Sequence, residues 1–126
     1  MRAVDTNVLV RLITRDDERQ TAAAEAFVAN GAWVPQLALA EATWVLSAVY
    51  GLTASAIAKA LDMLLNHKDL TLQDSEVVAN ALERFRKRPA LGFSDCLILE
   101  VARKAGHVPL GTFDRTLAKL EGAARV

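Results

Sequence analysis

The chain has 126 residues, 52% of them hydrophobic, enough for one domain, residues 1–126, with a substantial core. Fifteen basic residues balance fifteen acidic ones, so no whole-molecule field draws the protein to nucleic acid or membrane, and polyanion binding must use a local patch. The single Cys96 excludes an intramolecular disulfide and a zinc-ligand cluster. Asp5 interrupts any signal-like opening, and no uncharged apolar run reaches the roughly 18 residues of a membrane span, so a cytoplasmic protein is expected.

In chain order, Met1 to Asp5 reads as a strand, and Asn7 to Ile13 as a short helix that Thr6 can cap. Asp16 or Asp17 can cap a second helix reaching Asn30, with Ala22, Ala26 and Phe27 on its inner side. Gly31 stops it, and Ala32-Trp33-Val34 before Pro35 reads as a brief strand. Leu37 to Tyr50 is a helix that is apolar nearly all round and should be buried. After Gly51, the helix Thr53 to Asn66 places Ile57, Leu61, Leu64 and Leu65 on one face. Asp69 to Leu72 reads as a strand, and Asp74 can cap the helix Ser75 to Lys87. That helix keeps period with Val77, Val78, Ala81, Leu82 and Phe85. Pro89 breaks it. A buried helix from Ser94 to Ala105 ends at Gly106, His107 to Leu110 reads as a strand, and a short helix over Arg115 to Leu120 leads to a last strand at Ala123 to Val126. Short strands separated by helices predict an α/β fold with a mainly parallel sheet and helices on both faces.

Four acids stand in apolar contexts. Asp5 ends the opening stretch, Glu41 is the one charge in LALAEATWVLSAVY, Asp95 opens the run Cys96-Leu97-Ile98-Leu99, and Asp114 follows Thr112-Phe113. A carboxylate taken out of water is costly unless it is paired, protonated or bound to a metal. Asp5 and Asp114 follow strands, where open α/β sheets bind ligands, and Asp95 lies in the first turn of a helix. Four such groups sharing a site would repel, and a divalent cation relieves this. Oxygen donors without His or Cys favour Mg²⁺ or Mn²⁺, whose chemistry suits phosphodiester cleavage by polarising a phosphate oxygen and activating water. Each acid also has a structural explanation. Asp5 and Asp114 can cap helices, Asp95 can be a simple first-turn acid, and Glu41 can pair with a distant Arg.

Val4-Asp5-Thr6-Asn7, Leu39-Ala40-Glu41-Ala42-Thr43-Trp44-Val45-Leu46, Phe93-Ser94-Asp95 and Thr112-Phe113-Asp114-Arg115 together resemble the PIN-domain ribonucleases. Within these they look most like the VapC-type toxins of bacterial toxin–antitoxin pairs. The resemblance covers essentially the whole chain. It implies a three-layer α/β/α sandwich and Mg²⁺- or Mn²⁺-dependent endoribonuclease activity that leaves 5′-phosphate and 3′-hydroxyl ends. It further implies inhibition by a cognate VapB-type antitoxin, and a homodimer. Carried over by position, Asp5, Glu41, Asp95 and Asp114 become the catalytic, metal-binding acids. Thr6, Asn7 and Thr112 become groups that orient acids or water behind them.

Two other functions compete. A haloacid-dehalogenase-like phosphatase would use Asp5 as nucleophile, but it wants a second Asp where Asn7 stands. A non-catalytic module would use the acids to receive a basic peptide. Elsewhere, Glu83 to Arg88 reads as a solvated helix end before it reads as a phosphate-binding patch, and Arg11, Arg15 and Arg19 are candidate RNA contacts. Trp33 and Trp44 are expected in the core, His67 and His107 in solvent, and Cys96 buried. Leu9, Leu12, Ile13, Leu61, Leu64 and Leu65 are apolar enough in number to supply a dimer or antitoxin surface.

Overall fold

The computed structural model describes residues 1–126, in which six α-helices alternate with short parallel strands, the α/β arrangement expected. The chain divides into two compact units, Met1–Ser75 and Glu76–Val126. No helix is long and apolar enough to cross a membrane.

The first unit holds β1 (Arg2–Ala3), α1 (Thr6–Thr14), α2 (Glu18–Val28), β2 (Ala32–Val34), α3 (Gln36–Ala48), α4 (Ala54–Leu65) and β3 (Leu70–Leu72). Its sheet runs β1-β2-β3, all parallel, with Ala3 opposite Trp33 and Val34 opposite Leu72. Parallel strands end on the same edge, so the residues just beyond them become neighbours. Gln36 and Gln73 show it: the Gln36 amide donates to Gln73 Oε1 at 2.9 Å, and Gln36 Nε2 donates to the Gln73 carbonyl at 3.3 Å. Asp5, directly after β1, belongs to that edge.

The unit's core is aliphatic. Leu9, Val10 and Leu12 on α1 are buried, as are Leu39, Ala42 and Leu46 on α3 and Ile57, Leu61 and Leu64 on α4. Four of the six side chains expected to supply a docking surface (Leu9, Leu12, Leu61 and Leu64) are therefore core. The inner side of α2 is also rotated from expectation. Thr21, Ala24 and Val28 are buried, whereas Ala22 and Ala26 face solvent; Asp17, one of the two candidate caps, starts this helix. Asp16 instead joins Arg11, Thr14 and Tyr50, receiving bonds of 3.0, 2.9 and 3.0 Å that tie the end of α1 to Tyr50, just beyond α3.

The second unit holds α5 (Ser75–Lys87, entered at its first residue from the first unit), α6 (Phe93–Ala105), β4 (Leu110–Thr112) and β5 (Ala123–Arg125), with 3-10 turns at Pro89–Leu91 and Leu117–Lys119. β4 and β5 pair in parallel. The five apolar residues picked out on α5 are all buried, and Phe85 meets Phe93 edge to face with centroids 6.3 Å apart. Gly106 ends α6 at φ +83°, a left-handed conformation that glycine adopts without cost. The strand expected at His107–Leu110 starts instead at Leu110, since Pro109 has no N–H to give a ladder.

Glu100 is the buried carboxylate of this unit, only 7% exposed on an apolar helix. Arg84 Nε donates to its Oε1, and Arg103 Nε lies 4.0 Å away. Removing one partner of a buried ion pair strands the other. Arg84→Leu is expected to cost about 3 kcal/mol of stability, and adding Glu100→Leu to recover most of it. Urea unfolding of both variants checks this, and an unchanged midpoint for Arg84→Leu would show that the pair contributes nothing.

Candidate functional site

Asp5 has extended backbone and caps α1, its Oδ1 accepting from the Val8 amide at 3.2 Å. This is the structural role foreseen for it, realised. A carboxylate offers about four acceptor positions, so one capping bond does not exhaust it. Thr6, the next residue, starts α1 and donates its hydroxyl to Glu41 Oε2 at 3.0 Å. The first unit thus brings Asp5, Thr6 and Glu41 together where α1 packs against α3. Asn7 is exposed in the first turn of α1, lining a cleft of about 460 Å³ with Val8, Arg11, Gln20 and Phe27.

In the second unit, Asp95 lies in the first turn of α6, partly withdrawn from water. That withdrawal, and then the charge of Asp114, holds its carboxyl above the ordinary value of 3.8. Asp114 sits just past β4. Its amide donates to Thr112 Oγ1 at 3.0 Å, and its Oδ1 accepts from the Thr116 and Leu117 amides, both at 2.8 Å. Asp114 therefore caps its following turn while facing Asp95, and Thr112 fixes its backbone.

The acids do not sit out of water as their sequence contexts suggested. Asp5, Glu41 and Asp114 are exposed and Asp95 is intermediate. Nor is α3 buried all round: Glu41 shares an exposed face with Leu37 (71% exposed) and Trp44 (65%). The expectation of a core Trp44 fails because Ala38, Leu39, Ala42 and Leu46 already make the buried stripe. Trp33 is half-buried in β2. Cys96 is buried as expected, its thiol pushed up to about 11, first by loss of hydration. His107 is exposed, but His67 is half-buried and accepts from the Asp69 amide at 3.1 Å. Arg11 and Arg15 are tied to Asp16 and Glu25 at 3.0 and 2.7 Å, and Arg84 to Glu100, which removes them as ready phosphate contacts. Neither unit gathers three or more His, Cys, Asp or Glu side chains into a group able to hold a metal ion. What each unit presents is a pair. The donors are all carboxylate oxygens, the type that Mg²⁺ and Mn²⁺ prefer, and a cation would relieve the Asp95–Asp114 repulsion.

Sequence reasoning passed over Glu100. The signal was present, since Glu100 is the one charge between Asp95 and Arg103 on an apolar helix, as Glu41 is on its own.

The description "PIN domain" fits residues 2–123, a match that runs through both units. The chain belongs to the PIN-domain family, whose members are generally metal-dependent nucleases acting on RNA or DNA. No curated protein and no solved structure matches it.

Because Asp95 ionises less readily in the folded chain, its charge costs folding free energy above its raised value. Below 3.8 the carboxyl is protonated in both states and the cost vanishes. In metal-free protein, Asp95→Asn is expected to raise Tm at pH 7, the gain shrinking as the pH falls toward 3.8. Thermal unfolding across that range checks the sign, and a lower Tm at pH 7 would contradict it.

Proposed function

We propose that this chain is a Mg²⁺- or Mn²⁺-dependent endoribonuclease, one PIN domain in which Asp5, Glu41, Asp95 and Asp114 are the metal-binding and catalytic acids. The observation that carries the reading is the Thr6–Glu41 bond beside Asp5, which holds two of the four acids in one place. The electrostatic coupling of Asp95 to Asp114 supports it from the second unit. Family membership leaves the phosphatase alternative without support, and the exposed Asn7 offers no second acid.

When bound, the divalent ion supplies polarisation of a phosphate oxygen and activation of water. The remaining tasks fall to side chains. Thr6 spends its hydroxyl proton on Glu41 Oε2 and so fixes the rotamer that presents the other oxygen. The Val8 amide orients Asp5 in the same way. Thr112 holds the Asp114 backbone, and the Thr116 and Leu117 amides hold its carboxylate. Asn7 is the remaining candidate to orient substrate or water.

The biological reading is a toxin of the VapC type. Its partners would be an RNA substrate and a VapB-type antitoxin, and it would act as a cytoplasmic homodimer. Motivation comes from the four motifs in order and from apolar side chains left in solvent, Leu37, Ile98 and Val101 among them.

Purified protein freed of any antitoxin should cut RNA with Mg²⁺ or Mn²⁺ and lose activity in EDTA. Thr6→Ala should lower kcat/KM roughly 10- to 100-fold, and Asp5→Asn by more. Cleavage that persists in EDTA, or at the wild-type rate in folded Asp5→Asn, overturns the mechanism. Expression without effect on bacterial growth overturns the toxin role alone.

A further inference from the structure

Two large aromatic side chains remain in solvent, and each adjoins one of the proposed catalytic acids. Trp44 is 65% exposed and stands three residues after Glu41 on α3. Phe113 is 78% exposed, between Thr112 and Asp114. Hydration of so much ring surface is unfavourable, and neither ring has an aromatic partner in the fold. On a helix, residues three apart are neighbours, so Trp44 and Glu41 share one exposed face of α3. At Phe113 the backbone is held on both sides. Thr112 lies in β4, and the Asp114 amide is bonded to Thr112 Oγ1. The ring is displayed from a fixed support.

We propose that Trp44 and Phe113 are base-stacking residues, each receiving an unpaired base of single-stranded RNA beside the proposed catalytic acid that it adjoins in its own unit. The inference rests on the nuclease reading above and adds to it a requirement that bases near the scissile bond be unstacked. Flat π-faces accept any base, so the pair contributes affinity and strand positioning rather than sequence readout. Leu37, on the same face of α3, lacks such a ring and is not assigned this role. These are positioning residues. They act on where the phosphate lies, while the carboxylates act on its chemistry.

The test uses the full chain, a single-stranded RNA oligonucleotide it cuts, and the same oligonucleotide carrying an abasic nucleotide on either side of the cut. Trp44→Leu and Phe113→Leu keep apolar bulk but remove the flat face. Each is expected to raise KM roughly tenfold with a smaller change in kcat, and Trp44→Phe to restore most of the affinity. An abasic nucleotide should penalise the wild type but add little to the Leu variant of the residue it stacks on. Unchanged KM in both Leu variants, with wild-type cutting intact, overturns stacking and leaves the nuclease standing. Equal abasic penalties in wild type and variants also overturn it. So does a Trp44→Leu variant whose only change is a smaller sedimentation coefficient, which assigns the face to contact between copies of the chain. Absence of cutting by the wild type with either metal removes the nuclease reading and this one with it.

Discussion

Asp95 and Asp114 feel one another's negative charge, and Asp95 is in addition partly out of water at the start of α6. Like charges are not brought together by folding alone, because each raises the cost of ionising the other. A protein that keeps such a pair holds it with compensating bonds, and those bonds are present. Thr112, Thr116 and Leu117 pin Asp114, while Asp95 takes the helix position where the dipole favours an anion. The result is a carboxylate pair whose repulsion a bound cation would relieve, and the proposed function depends on that constraint.

The first unit solves a similar problem by different means. Asp5 follows the edge strand β1 and caps α1, so the bond that starts the helix also sets the direction of the acid. Thr6 then links α1 to α3 through Glu41. Structural and functional explanations of these acids are therefore not rivals. Capping fixes a carboxylate's orientation at the carboxyl edge of a parallel sheet, and orientation is what a metal ligand requires. Glu100 shows the contrast. It is buried and matched to Arg84.

Much of this was legible in the residues. Helical period placed Val77, Val78, Ala81, Leu82 and Phe85 on the buried side of α5, and Thr53 and Asp17 marked helix starts that the structure keeps. Ala32-Trp33-Val34 and its Pro35 boundary were equally clear. What failed was inference from local polarity to burial. The helix around Glu41 looked wholly apolar, but small residues such as Ala38 and Ala42 can make the buried stripe, leaving Leu37 and Trp44 outside. On α2 both Asp16 and Asp17 were candidate caps; Asp17 caps, and Asp16 is taken by Arg11 and by Tyr50, a residue remote in sequence. The candidate acids were picked out by type and order, whereas their exposure depended on packing that no local window contains.

The central claim, a proposal, is that Asp5, Glu41, Asp95 and Asp114 are each ligands for divalent metal. Calorimetric titration of Mn²⁺ into metal-free wild type and into Asp5→Asn, Glu41→Gln, Asp95→Asn and Asp114→Asn, each verified as folded, tests it without reference to activity. The account predicts measurable binding by the wild type and weaker binding in every one of the four variants. Wild-type affinity retained in the variants of either unit would show that its acids serve the fold alone and would contradict their role as metal ligands.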